Sequence, residues 1–411
     1  MQQKVGSDIE AAAVQAYLVE RTSQLPESRN AAFQQRFDDQ QRNCFPGWNP
    51  DPYPIRSYQL FDVVLDGRFR GLFNDQGFIR RTSYLVPDEH MLTLEVDPAQ
   101  LVKAPDDITV IIGCNVAYDN YFHWITQALP AIDFGLTRQG QDRRIALALP
   151  PLTAWQEESL LLLGYAGMRR IVINDKSKQY AFGCVEYSEL LRGEGTFRQS
   201  TTMAQTFARL RSAIEFLPQP GRKLYVARTD TASRRMRNEA ALIEAVRKLG
   251  FEVVVPGGYS LSEQINLFRG ASMVVGAHGA GLTNIVFCEP GTIVYELVPE
   301  HYPNACFCNL AHICDLRYWS DRFASEGEGP PGVRDWEADT ALVMQRIAEI
   351  EAIQAELYAE ASAQTISAMD FLRGKPGLVP DLMAPEPIAE ADAAAGRWRR
   401  LWRRLFGRSA G

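Results

Sequence analysis

Between Ala271 and Leu297 the chain reads ASMVVGAHGAGLTNIVFCEPGTIVYEL, the stretch whose residue types are best spaced for chemistry. An apolar run over residues 273–276 suits a buried parallel strand. It breaks at Ala277–His278–Gly279–Ala280–Gly281, restarts as a helix from Leu282, stops at Pro290–Gly291 and ends on a second apolar strand over 292–297. A strand, a small-residue loop and a helix start make a ready anion site, because backbone N–H groups can approach a phosphate and the helix dipole favours negative charge. The same residues also suit a plain tight turn. The Lys-Ser/Thr of a P-loop is missing, and the glycine spacing is not G-x-G-x-x-G. What the stretch adds is His278 inside the loop and Glu296 at the end of the following strand.

Two further groups invite a chemical reading. Arg228 falls just past an apolar strand, and Arg234, Arg235 and Arg237 follow it before Asn238. Guanidinium groups at a strand end can bind phosphate bidentately, although a solvated basic loop has the same composition. In DNYFHWITQALP, Phe122, Ile125 and Leu129 form the apolar side of a helix, while His123 and Gln127 stand four apart on another face. His123 lies in the first turn, where the positive dipole end favours the neutral imidazole that can accept a proton at pH 7. Asp119 is either the N-cap of that helix or a partner that orients, or replaces, His123. Cys306, Cys308, His312 and Cys314 do not read as a zinc site, since C-x-C-x3-H-x-C lacks the paired C-x2-C spacing. Phe307, Leu310, Ala311 and Cys314 instead share one apolar helix face. There is no H-E-x-x-H, G-x-S-x-G or kinase signature to support zinc hydrolysis, serine hydrolysis or kinase chemistry.

The elements that would position these residues alternate. Residues up to about 41 are Gln- and Ala-rich with helical character, and 44–54 form an irregular entry. Residues 58–86 read as a β-meander broken at Asp66–Gly67 and Asp75–Gln76–Gly77. ITVIIG, RIALALP and RRIVIN read as strands separated by helices over 119–129 and 153–163, a first parallel α/β set. After a helix over 200–217 and a linker, PQPG at 218–221, the pattern becomes β-α-β-α-β-α-β. Asn238 caps one helix, Gly250 ends it, and Ser260 with Glu263 makes a capping box for the next. The expected fold is α/β: two Rossmann-like doubly wound domains facing across a cleft, with an N-terminal meander and a helical C-terminal extension. The divisions are 1–217, 222–330, a helix at 335–372 and a linker at 373–396, followed by a basic amphipathic helix at 397–411.

That last segment differs from the rest. Trp398, Leu401, Trp402, Leu405 and Phe406 recur at helical spacing, while Arg399, Arg400, Arg403 and Arg404 occupy the other face. The expectation is an interfacial helix on anionic lipid, which places the protein at the inner face of the cytoplasmic membrane; docking on protein is the alternative. Elsewhere the polar start, the absence of any long apolar run and seven scattered cysteines point to a cytoplasmic chain without a disulfide framework. A net charge of −7 argues against general nucleic-acid binding.

YFHWITQALP at 121–130, KLYVAR at 223–228, RRMRNE at 234–239, SLSEQINLF at 260–268, and GAHGAGLTN at 276–284 with VYEL at 294–297 together resemble glycosyltransferase family 61. The resemblance implies a GT-B-like fold, with 1–217 on the acceptor side and 222–330 on the nucleotide-sugar side, and an inverting transfer from a nucleoside-diphosphate sugar, with uridine the expected base, to a glycan acceptor; a membrane-bound 397–411 would let that acceptor be a lipid-linked glycan. Capsular or other polysaccharide synthesis is the expected setting. By the same resemblance, Arg228, Arg234 and the His278–Gly279–Ala280–Gly281 loop hold the diphosphate, Glu296 bonds a ribose hydroxyl, and Gln264 and Asn284 stand on the donor side. His123, or otherwise Asp119, serves as base. No metal and no cofactor beyond the donor itself is expected. A dinucleotide-dependent oxidoreductase is disfavoured by the missing fingerprint, and a silent nucleotide- or glycan-binding protein on the same fold is the alternative.

Overall fold

The computed structural model describes residues 6–23, 29–140, 144–216, 221–231, 233–325, 330 and 332–373, with side chains as far as 360. Met1–Arg346 form one compact unit and Ile347–Gly411 a second. The basic helix expected at 397–411 lies outside the described residues. Among those that are described, no helix is long and apolar enough to cross a membrane.

A ten-stranded mixed sheet and a five-stranded sheet make up the first unit. In the larger one, Thr109–Ile112, Ile145–Leu149 and Arg169–Val172 run parallel, as the apolar runs in the sequence imply. The meander strands Pro54–Asp66, Leu72–Asn74 and Gly77–Arg80 turn near the expected Asp and Gly positions. The strand Gln179–Ser188, unmarked by any turn signal, joins the two sets. It runs antiparallel to Pro54–Asp66 and parallel to Thr109–Ile112, so meander and α/β strands share one sheet.

The N-terminal segment departs from its helical expectation. Gln15–Arg21 is a strand on Pro54–Asp66, with Tyr17 and Val19 half-buried and Ala16 and Leu18 facing out. Period-two burial against a neighbouring strand outweighs the helix propensity of Ala and Gln. Further on, the short helix Arg29–Gln34 packs on the edge strand of the smaller sheet, Arg317–Phe323. Asn30 Oδ1 accepts from the Tyr318 N–H at 2.6 Å, Gln34 Nε2 donates to the Tyr318 carbonyl at 3.1 Å, and Asn43 bridges to Asp321. The side-chain amides of Asn30 and Gln34, with the Asn43 backbone, thus occupy backbone groups that an uncovered edge would offer to another chain.

Asn30 also donates to His312 Nε2 at 2.5 Å, and burial pushes that imidazole down from 6.5 to about 4. The unfolded chain therefore takes up a proton there between pH 6.5 and 4 while the folded chain does not, so this group lowers stability as pH falls through that window. The expected loss between pH 7 and pH 5 is on the order of 2 kcal/mol. Urea unfolding at the two pH values should show it, and His312→Phe should flatten that part of the pH dependence; an unchanged slope would contradict the assignment. His312 lies on the helix Cys306–Ile313, which buries Cys306, Phe307, Cys308, Leu310 and Ala311. Among the described residues no three His, Cys, Asp or Glu side chains gather as a metal site.

The smaller sheet is wholly parallel. Counted along the chain, its strands Arg222–Val226, Phe251–Val254, Ala271–Ala277, Ile293–Pro299 and Arg317–Phe323 lie in the order 2-1-3-4-5. The Ser260–Glu263 capping box forms as read, starting the helix Leu261–Arg269. Asn238 stands at the start of Glu239–Lys248, but its amide is held by the Ala338 backbone and does not cap the helix. The segment after the His278 loop is a 3-10 helix, Ala280–Phe287. Behind the sheet Asp321, fully buried, accepts from Tyr295 Oη at 2.8 Å and from Arg346 at 2.9 and 3.2 Å. The order reverses between Arg222–Val226 and Ala271–Ala277, and a parallel sheet of this kind offers its ligand crevice beyond the carboxyl ends of the strands at such a reversal.

Candidate functional site

A cavity of about 510 Å³ opens at that reversal, within the usual range of roughly 300–1,000 Å³ for small-molecule sites. Ala227, Arg228 and the loop carrying Asp230, Ser233 and Arg234 form one wall; Ala280 and Gly281 form another. Asn120, Tyr121 and Trp155 close it from the side of the larger sheet. Two ties fix that closure. Tyr121 Oη donates to Asn284 Oδ1 at 2.6 Å, and Asn284 Nδ2 donates to Gln264 Oε1 and the Gly281 carbonyl. Glu158 accepts from the N–H groups of Leu261 and Ser262 at 2.8 and 3.0 Å, placing negative charge at a helix N-terminus.

The four arginines read from sequence divide into two pairs. Arg235 and Arg237 turn outward to Asp335 and Glu337. Arg228 and Arg234 line the cavity. Arg228 donates to the carbonyls of His278 at 2.6 Å and Ser233 at 3.1 Å. Burial first, and then the charge of Arg234, push its pKa down to about 10, against the pull of Glu239 and Asp230. Arg234 sits at φ 51°, a strained backbone setting for a non-glycine residue. Its guanidinium lies 4.4 Å over the Tyr302 ring, with Nε buried and unpaired. Two neighbouring cations, partly stripped of water and bonded chiefly to neutral carbonyls, favour an anion between them. The first-turn N–H groups of Ala280 and Gly281 have no partner within their own helix and stand on the same cavity wall.

Gly279 is what allows Arg228 to lie over this loop. A Cβ there would come within 2.5 Å of Arg228 Nε and 2.8 Å of its Cζ. The Gly279 backbone is extended, so Gly279→Ala should fold normally and displace only the flexible arginine. The expected result is an unchanged urea midpoint with nucleoside-diphosphate affinity weakened about tenfold, near 1.4 kcal/mol. Wild-type affinity in titration calorimetry would show that the arginine position is immaterial.

His278 is buried, and its Nδ1 lies 2.5 Å from Glu296 Oε1. Glu296, fully buried, takes a bond from Tyr318 Oη on its other oxygen. Both oxygens are thus engaged away from solvent, a placement that does not suit the ribose contact read from sequence. Burial and this neighbouring carboxylate push Tyr318 well above the usual phenol value, keeping it a donor.

His123 and Asp119 do not form part of the cavity wall, and neither do His278, Gly279, Asn284 and Glu296. Asn120 is the N-cap, accepting from the Phe122 N–H, and Asp119 is exposed. After Tyr121–His123 the helix widens into a π-helix, Trp124–Ala128. Pro130 has no N–H for the carbonyl four residues back, and its ring crowds that carbonyl, which accounts for the widening. Gln127 is fully buried, accepting from Asn115. The His123 ring packs edge-on to Tyr84 and Phe122, and burial pushes its pKa below the usual value, partly offset by Gln127 and Asp119. Tyr121, Trp155 and Tyr259 are cavity residues that sequence reasoning passed over. Only Tyr121 stood within a quoted motif, as its first letter.

The Glycosyltransferase 61 family model matches residues 121–295. A beta-1,2-xylosyltransferase of Arabidopsis thaliana is 32% identical over 74 residues, 18% of this chain and 14% of its own. The EGF domain-specific O-linked N-acetylglucosamine transferase of Drosophila melanogaster is 31% identical over 111 residues, 25% of this chain and 21% of its own. The beta-1,2-xylosyltransferase XAX1 of Oryza sativa subsp. japonica is 24% identical over 249 residues, 54% of this chain and 43% of its own. The chain therefore spans less than half the length of these relatives. A solved heptosyltransferase, TibC, aligns over 73% of this chain and 92% of its own at 14% identity and a TM-score of 0.29, too loose to argue from. The matched segment takes in Tyr121, the paired arginines and the His278 loop and stops one residue short of Glu296; over residues 121–295 the chain is similar to glycosyltransferase family 61.

Proposed function

We propose that this chain transfers a sugar from a nucleoside-diphosphate donor to a glycan acceptor, with inversion at the anomeric carbon and uridine as the donor base. The observation that carries the reading is the pairing of Arg228 and Arg234 in the cavity at the strand-order reversal, beside the first turn of Ala280–Phe287. A departing diphosphate would receive both guanidinium groups and the loop amides as its charge develops, the kind of preorganised stabilisation that lowers such barriers most. In this reading the arginines take the neutralising role that a metal ion has in other transferases. Trp155, Pro256 and Tyr259 give the cavity an apolar side suited to a flat base. The acceptor glycan, lipid-linked ones included, approaches from the larger sheet, and the basic, Trp- and Leu-bearing segment 397–411 holds the enzyme at the cytoplasmic membrane face during polysaccharide assembly.

Thermal unfolding with UDP, ADP, GDP and NADH tests the site, because a ligand at about a hundred times its Kd stabilises by roughly 2.7 kcal/mol. The expected result is a rise with UDP above the others, followed by release of UDP from a nucleotide sugar. A shift with NADH alone would overturn the reading. UDP binding without turnover of any UDP-sugar would make this a silent binding protein.

A further inference from the structure

We propose that His278, oriented by Glu296, is the base that takes the acceptor's hydroxyl proton; the inference rests on the glycosyl-transfer reading above. Glu296 is fully buried and anchored by Tyr318, so its position is fixed before any substrate arrives. With Nδ1 bonded to that carboxylate at 2.5 Å, the neutral imidazole presents its lone pair at Nε2. Nε2 is neither sealed from solvent nor bonded to any described residue.

The ring also lies beside the diphosphate machinery. Its residue's own carbonyl takes Arg228. Tyr302 packs at 5.4 Å between centroids from the His278 ring and carries the Arg234 guanidinium 4.4 Å over its face. Phe307 on the other side, at 5.0 Å, leads through Phe122 to His123. Of the two histidines, only His278 combines a buried carboxylate on one ring nitrogen with an open second nitrogen. His123 has its Nδ1 buried and unpaired.

In the step, the acceptor hydroxyl oxygen bonds to the anomeric carbon. The bond from that carbon to the phosphate oxygen breaks, and its electron pair leaves with the diphosphate. The hydroxyl proton passes to Nε2, and Glu296 stabilises the imidazolium that results. Glu296 is a positioning residue in this account: it touches no substrate.

The test uses the full chain with UDP-xylose, UDP-arabinose and UDP-N-acetylglucosamine, reading UDP release and, separately, UDP affinity by calorimetry. His278→Gln should hold UDP affinity within about threefold while turnover falls by a factor on the order of 10²–10⁴. Glu296→Gln should lower kcat while KM and UDP affinity stay within about threefold, because the carboxylate acts only by orienting the imidazole. His278→Asn, checked by circular dichroism, serves if the glutamine variant does not fold. Wild-type turnover in either folded His278 variant, or a raised KM with unchanged kcat, would overturn the proposal, as would loss of turnover in His123→Gln with His278→Gln unaffected. A wild-type chain that releases UDP from none of the three donors would sink the transfer reading and this inference together.

Discussion

Arg228→Ala and Arg234→Ala are each expected to weaken UDP binding by about 1.5–3 kcal/mol, the loss of a charged hydrogen bond, or roughly 10- to 150-fold. The Arg228 guanidinium is held in a setting that burial and Arg234 make unfavourable for its charge, with its pKa pushed down to about 10. An anion relieves both causes at once. Removing either arginine also relieves the other of a like charge, so the double variant should lose less than the sum of the singles. Calorimetric titration of UDP into the three variants checks this, with far-ultraviolet circular dichroism to confirm the fold. Unchanged affinity in both single variants would move the donor site elsewhere.

Asp321→Ala is expected to lower stability by about 3–5 kcal/mol, because Arg346 would keep its charge in the interior without the carboxylate that answers it. Asp321 is fully buried and Arg346 is 3% exposed, with the guanidinium stacked against Trp319 and Phe37. Pairing Asp321→Asn with Arg346→Met should recover most of the loss, since an amide can still accept from Tyr295 and the buried charge is gone. Urea midpoints of the two variants decide the matter. A loss under about 1 kcal/mol in Asp321→Ala would place the pair with the weakly contributing surface bridges.

Local signals in the sequence were enough wherever short-range physics decides. Ser260 with Glu263 starts its helix as read, and the apolar run before His278 is a parallel strand. Arg228 falls beside the cavity because a residue just past a parallel strand has little choice of direction. Partner choice was not legible. Nothing near Arg235 or Arg237 in sequence announces Asp335 and Glu337, a hundred residues on, which draw them outward. Glu296 reads as a strand-end acid, and only the arrival of Tyr318 and His278 shows that both its oxygens are occupied. The widened turn after His123 changes which side chains share a face, and a periodicity of 3.6 does not anticipate it. Gln15–Arg21 misled through composition, since its strand state depends on a neighbour forty residues away.

The amide side chains that cover the edge strand Arg317–Phe323 impose an order of events on folding. Asn30 waits for a Tyr318 backbone group 288 residues further along. At ribosomal rates of roughly 5–20 residues per second, that interval is about 15–60 s. The earlier segment is therefore made long before its seat exists, and the contact is among the most non-local in the fold, where closure is slow. Until it docks, the last strand of the sheet stands bare along one side and two nascent copies can pair there. Low chain concentration, more than rapid collapse, is then what favours clean refolding of this molecule.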